Sequence, residues 1–184
     1  MAALEDFYFC PEKDTAFGKS IPPITSEFPS THRPLVDRFF TRYYLVRQKT
    51  SEEHYLVLFH SNRICMVGLS GAHPAFAKGI EQVTCPILKK TDKQSTGEDR
   101  KRSAILQKDT TIAVVKCCDG TTYNVPSCVK GKLVEINQNV LQNPSLLSKE
   151  GYGYIAILLP KIDECDDIKA SLLSYEEYSG KYSK

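Results

Sequence analysis

The segment from Ile112 to Pro160 constrains the fold most, because short extended runs follow one another with tight turns between them. Ile112 to Cys117 is an apolar, β-branched run, and Thr121 to Val125 is a second extended segment. Asp119-Gly120 lies between the two, and this dipeptide favours a hairpin because glycine supplies the positive φ of a primed turn. Such close spacing of strands predicts an all-β sandwich or a small barrel.

The rest of this segment continues the same pattern of strands and turns. A strand from Val129 to Ile136 is predicted to end at Asn137, with Gly131 at a bulge or bend. Asn143-Pro144-Ser145 predicts a turn that opens a short helical piece. A further strand, Tyr154 to Leu159, ends at Pro160, which has no backbone N–H to donate to a ladder.

Several of these segments resemble glycine cleavage H-proteins, in the order in which that family has them. The resemblance covers about residues 35–182, with an insertion near 85–105, and rests on residues 63–69, 127–137, 143–147, 150–153, 155–157 and 172–178. It implies a mainly β fold with peripheral helices, the barrel-sandwich hybrid of lipoyl and H-protein-like domains.

H-proteins carry lipoate on a lysine at a hairpin tip, within the pattern E-S-x-K-A. On this resemblance the lysine position falls on Gly120, preceded by Asp119, and neither residue has an amine. The nearest amine belongs to Lys116, four residues earlier and inside the apolar strand. We therefore expect a carrier fold without a cofactor, and a register slip that places Lys116 at the tip is the alternative.

A second resemblance is to the actin-binding transcription modulator family, also known as Abitram or Simiate. Four segments carry it: Pro34 to Tyr44, His60 to Cys65, His73-Pro74, and Val125 to Leu133. The family has H-protein-like domains without the lipoyl lysine. The resemblance implies actin as partner, effects on actin assembly in cell projections, and residence in nuclear speckles as well as the cytoplasm.

The bulk properties fit one domain with tails. The chain has 184 residues and a formal net charge of +2, which implies no general affinity for nucleic acid. Residues 1–33 are predicted to be a disordered or loosely docked arm, and residues 34–184 the H-protein-like domain. The sequence has no long apolar run, so we expect no membrane span. The acidic N-terminus fits neither a secretory nor a mitochondrial signal.

Residues 86–108 are predicted to be a mobile, basic insertion. Leu88-Lys89-Lys90-Thr91 resembles the linker motif of β-thymosins, which bind actin monomers, although Pro86 would interrupt the helix that precedes that motif. Arg100-Lys101-Arg102 is a candidate nuclear import signal. A plain solvated loop is the alternative interpretation of both.

Other residues give no catalytic pattern, so we expect no enzyme and no metal site. The seven cysteines are expected to be reduced, with adjacent Cys117 and Cys118 on opposite faces of a strand. Residues 163–182 are predicted to be a helical segment that packs on the sheet, with exposed tyrosines as a partner surface in the alternative.

Three further functions stay open at this point. One is a genuine lipoyl carrier of glycine cleavage, and another is a carrier with a different modification at Lys116 or Lys130. The third is a nuclear module that contacts RNA through Lys130, Lys132 and the basic loop. Salt-sensitive binding would be typical of that last function.

Overall fold

The computed structural model describes residues 15–16, 19–20, 34–48, 51–87 and 105–182. The chain divides into two compact units, Met1–Pro34 and Leu35–Lys184. In the first unit, the strands β1 (Thr15–Ala16) and β2 (Lys19–Ser20) pair antiparallel. The other residues of 1–33 lie outside the described part of the chain, so the disordered or loosely docked arm stays a prediction.

The larger unit is built on a seven-stranded antiparallel sheet with the order β12-β3-β4-β5-β11-β10-β7. Its strands are β3 (Phe40–Gln48), β4 (Glu52–His60), β5 (Cys65–Leu69), β7 (Ile105–Leu106), β10 (Gly131–Ile136), β11 (Ala156–Leu159) and β12 (Leu173–Ser174). β3 and β4 pair along their whole length, from Phe40↔His60 to Gln48↔Glu52. β4 and β5 form a hairpin about Ser61-Asn62, where Arg63 N donates to His60 O at 3.0 Å.

A three-stranded antiparallel sheet completes the sandwich. It consists of β6 (Ile80–Thr84), β8 (Thr111–Cys117) and β9 (Thr122–Pro126), in the order β6-β8-β9. Val57 and Val67 from the larger sheet share one buried cluster with Val115 and Val125 from the smaller sheet. Each fully buried side chain of this kind contributes about 1.5–3 kcal/mol to stability. The predicted fold class, mainly β with peripheral helices, is confirmed.

The helices whose bounds fall within the described residues are short and lie at strand ends. They are α1 (Leu35–Phe39), α2 (Pro74–Lys78), α3 (Gln138–Gln142), α4 (Cys165–Ala170) and α5 (Tyr175–Tyr182), with 3₁₀ turns at Pro144–Ser148 and Ile162–Glu164. Asn137 ends β10 as predicted and caps α3, because its side chain accepts from Asn139 N. None of the described helices is long and apolar enough to cross a membrane.

Three sequence predictions need correction. The helical segment over 163–182 is interrupted by β12, which pairs Ser174 with Tyr43 of β3. The insertion predicted over 86–108 ends earlier, because β7 pairs Ile105 with Lys132. Of the bulge or bend predicted at Gly131, the bulge lies instead between Leu133 and Glu135, whereas Gly131 begins β10 after the connection from β9. Each error arises from pairing between strands that are distant in sequence.

The C-terminal helix packs on the large sheet through Tyr178. Its ring stacks on Tyr44 with the centroids 3.8 Å apart. Its hydroxyl lies 2.9 Å from His54 Nδ1 and 3.1 Å from Ser70 Oγ, in a buried network. Packing of the last segment is therefore confirmed for Tyr178, whereas Tyr175 remains exposed.

Candidate functional site

The hairpin between β8 and β9 contains the position that the resemblance to H-proteins assigns to the lipoyl lysine. Gly120 adopts a φ of +81°, and its N–H donates to Cys117 O at 3.0 Å. The turn predicted at Asp119-Gly120 is therefore present. That Gly120 replaces the lipoyl lysine stays a prediction, because the correspondence rests on the family resemblance.

The charges at this tip are paired with one another. The Asp119 carboxylate accepts from Thr121 N at 2.9 Å and from Thr121 Oγ1 at 2.8 Å. Lys78 Nζ lies 3.1 Å from Asp119 Oδ2 and donates to Thr121 Oγ1 at 2.9 Å. The backbone hydrogen bond from Thr121 is the main reason that the pKa of Asp119 is lowered. The hydrogen bond to Asp119 is the main reason that the pKa of Lys78 is raised. The amine at the tip is thus held in a local ion pair.

Lys78 reaches the tip because α2 ends beside it. His73 caps this helix by accepting from Ala75 N, Pro74 opens it, and Gly79 ends it. Gly79 O then accepts from Cys118 N at 3.0 Å, which joins the helix end to the hairpin. The sequence analysis missed Lys78, although proline at the first position and glycine after the last are a recognisable helix signal.

The other lysines considered as attachment points are also engaged. Lys116 Nζ lies 2.8 Å from Glu81 Oε2, on the strand rather than at the tip. Lys130 Nζ lies 2.6 Å from Glu164 Oε1, and Lys130 precedes β10. Lys132 is exposed on β10. The basic surface considered for RNA contact therefore includes one lysine, Lys130, that is already paired with a carboxylate.

The remaining predicted site residues lie outside the described part of the chain. These are Leu88, Lys89, Lys90 and Thr91 of the thymosin-like motif, and Arg100, Lys101 and Arg102 of the candidate import signal. Their roles stay predictions.

Two surface clefts lie near α1, and Asp37 lines both. The first has a volume of about 520 Å³ and contains a charged cluster. There Arg42 Nε lies 2.5 Å from Glu150 Oε1, and Arg42 Nη2 lies 2.5 Å from Asp37 Oδ1. The hydrogen bond to Glu150 is the main reason that the pKa of Arg42 is raised. In the same cleft, burial raises the pKa of Tyr44 to about 12. The second cleft, of about 360 Å³, is aromatic and basic.

The histidines and cysteines are mostly scaffold. Burial lowers the pKa of His73 to about 4 and raises the pKa of the Cys65 and Cys128 thiols. Cys117 is buried and Cys118 exposed, as predicted, and the described cysteines are all free thiols. Within the described residues, no group of His, Cys, Asp or Glu side chains is placed to hold a metal ion.

Comparison with known proteins identifies the type of domain. The family model of the glycine cleavage H-protein matches residues 48–184. A crystal structure of a glycine cleavage system H protein from Mycobacterium marinum superposes with a TM-score of 0.55 at 16% identity, covering 78% of this chain and 98% of that one. The fold therefore defines an H-protein-like domain.

Curated relatives narrow the assignment further. Protein Abitram of Drosophila melanogaster is 46% identical over 179 residues, covering 95% of this chain and 82% of the relative. Protein Abitram of Homo sapiens is 37% identical, covering 78% of this chain and 84% of the relative. The Dictyostelium discoideum protein of the same name is 29% identical, with 79% and 86% covered. The chain belongs to the Abitram family, within the glycine cleavage H-protein domain family.

Proposed function

We propose that this protein is a non-catalytic interaction module that binds actin, modulates actin assembly, and acts in part in the nucleus at speckles. One observation argues against a carrier function. The hairpin tip holds Asp119 and Gly120, and Lys78 beside them is ion-paired with Asp119. The partner rests on family membership together with the sequence resemblance described above.

A swinging-arm carrier needs a primary amine that projects freely from the tip, so that the attached group can visit other enzymes. Gly120 has no side chain, and a Cβ added there would meet open space rather than a neighbour. Lys116 lies on β8 and is paired with Glu81. These contacts favour an interaction module over a lipoyl carrier and over a carrier modified at Lys116.

The test combines actin binding with intact mass. Purified protein is titrated with monomeric and filamentous actin by fluorescence and by co-sedimentation, and its intact mass is measured on the same sample. We expect saturable binding of an unmodified chain. No binding to either form of actin, together with a lipoyl mass increment, would instead support the carrier.

Two sets of variants assign the predicted segments. Lys89→Glu/Lys90→Glu is expected to abolish binding to actin monomers, whereas Lys108→Glu/Lys181→Glu, two charge reversals at other exposed lysines, should bind normally. Unchanged affinity of the first variant would remove the thymosin-like motif from the binding surface. Replacement of Arg100, Lys101 and Arg102 by alanine is expected to lower the nuclear fraction of a fluorescent fusion.

A further inference from the structure

We propose that the aromatic-basic cleft beside α1 is a docking site for an acidic peptide segment that carries an apolar side chain. The cleft has a volume of about 360 Å³. Its lining includes Arg38, Phe39, Phe59, His60, Arg63 and Lys169. It is separate from the hairpin tip and contains none of the residues singled out in the sequence analysis for partner binding.

The apolar part of the cleft is exposed to solvent at Phe39. This residue is 48% exposed at the end of α1, and Leu35, one helical turn earlier and outside the lining of the cleft, is 59% exposed. The Phe39 ring stacks on His60 with the centroids 6.4 Å apart. The Phe59 ring is buried beside it and meets Tyr43 edge to face, with the centroids 5.5 Å apart. An exposed aromatic side chain such as Phe39, with a second large apolar side chain next to it on the helix, is typical of interaction sites.

The charged part of the cleft is cationic. Arg38, Arg63 and Lys169 line it. Lys169 Nζ lies 3.4 Å from Asp166 Oδ1, whereas in the described chain neither arginine has a carboxylate within ion-pair distance. Arg63 is held at a φ of 75° in the β4–β5 turn, and its Nη1 donates to Pro160 O at 3.2 Å. The acidic lining residue Asp37 is already paired with Arg42. This excess of positive charge complements an acidic ligand.

The arrangement of the rings favours a peptide over a nucleic acid. Bases bind single-strand sites by stacking on open aromatic faces. Here the Arg38 guanidinium lies over Phe39 at 5.2 Å from its centroid, and Lys169 Nζ lies over Phe59 at 5.8 Å. The Phe40 ring meets His60 at an angle of 67° rather than face to face. A cation thus lies over the ring of Phe39 and another over the ring of Phe59, and cations in these positions favour a carboxylate ligand.

Fluorescence anisotropy tests the docking site without reference to actin. The probe is a labelled peptide of Glu and Ser residues with one central Phe, measured against the full chain at low and moderate salt. Companion probes replace Phe by Ala, or Glu by Lys, and an oligouridylate of similar charge tests the nucleic-acid alternative. Arg38→Glu and Phe39→Ala are the test variants. The matched controls are Lys108→Glu and Val134→Ala, at exposed positions outside the cleft.

We expect saturable binding of the acidic Phe peptide, weakened by salt and reduced about tenfold by Arg38→Glu. Phe39→Ala should weaken binding several-fold, and the two control variants should bind as the wild type does. The proposal is overturned if the acidic peptide does not saturate, or if the controls lose as much affinity as the test variants. Tighter, Arg38-dependent binding of oligouridylate would also overturn it. Since the probe is not actin, these outcomes are independent of the actin titration.

Discussion

Burial of His73 is predicted to couple the stability of the domain to pH. Its side chain is 1% exposed and packs against the rings of Tyr55 and Tyr123, with centroids 5.3 and 5.0 Å away. Burial lowers its pKa from 6.5 to about 4, so the unfolded chain binds a proton that the folded chain does not. The free energy of unfolding therefore falls as the pH drops from 6.5 towards 4.

The size of the effect follows from the two pKa values. The full difference corresponds to about 3 kcal/mol, of which about 2 kcal/mol is lost between pH 7 and pH 5. Urea unfolding followed by circular dichroism at several pH values measures this loss. The comparison protein is His73→Asn, which retains a side chain able to cap α2 but cannot titrate.

His73→Asn is expected to be less stable at pH 7, and its stability should fall by about 2 kcal/mol less than that of the wild type between pH 7 and pH 5. His54, whose pKa is also lowered by burial, is present in both proteins and contributes to both curves. Parallel pH dependences in the two proteins would show that His73 does not control this loss, and would refute the reasoning.

Two further substitutions test close packing. A Cβ at Gly153 would overlap Leu146 O and would lie 2.8 Å from Leu147 Cα, so Gly153→Ala should lower the free energy of unfolding by about 3 kcal/mol. Gly71→Ala, whose Cβ meets open space, should change it by less than about 0.5 kcal/mol. Equal effects of the two substitutions in urea unfolding would disprove the close approach. Tyr178→Phe removes the hydroxyl that is bonded to His54 and should lower the free energy of unfolding by about 1–3 kcal/mol. The same substitution should lower it by less in a His54→Asn background. Equal losses in the two backgrounds would argue against the hydrogen bond.

The parts of the fold that local chemistry determines could be predicted from the sequence. Asp119-Gly120 forms the hairpin turn, Asn137 ends a strand, and Pro160 follows the last residue of β11. The dependence is local in each case, because a positive φ, a side-chain cap or a missing N–H acts on its own segment.

The parts that depend on distant pairing could not be predicted. β12 pairs with β3 through Ser174 and Tyr43, which lie near opposite ends of the domain's sequence. Lys78 meets Asp119 only because α2 and the β8–β9 hairpin come together through the fold. The cleft beside Phe39 likewise combines three separate segments of the chain. Sequence patterns near each residue contain no signal for these contacts.

The central claim is that an H-protein-like domain acts here without a lipoyl group. The most direct measurement is the intact mass of the full chain after co-expression with an active lipoyl-attaching enzyme, beside a glycine cleavage H-protein as positive control. We predict the mass of the unmodified chain, 20.7 kDa, while the control protein gains one lipoyl group. A lipoyl increment on this chain, mapped to any of its lysines, would contradict the account.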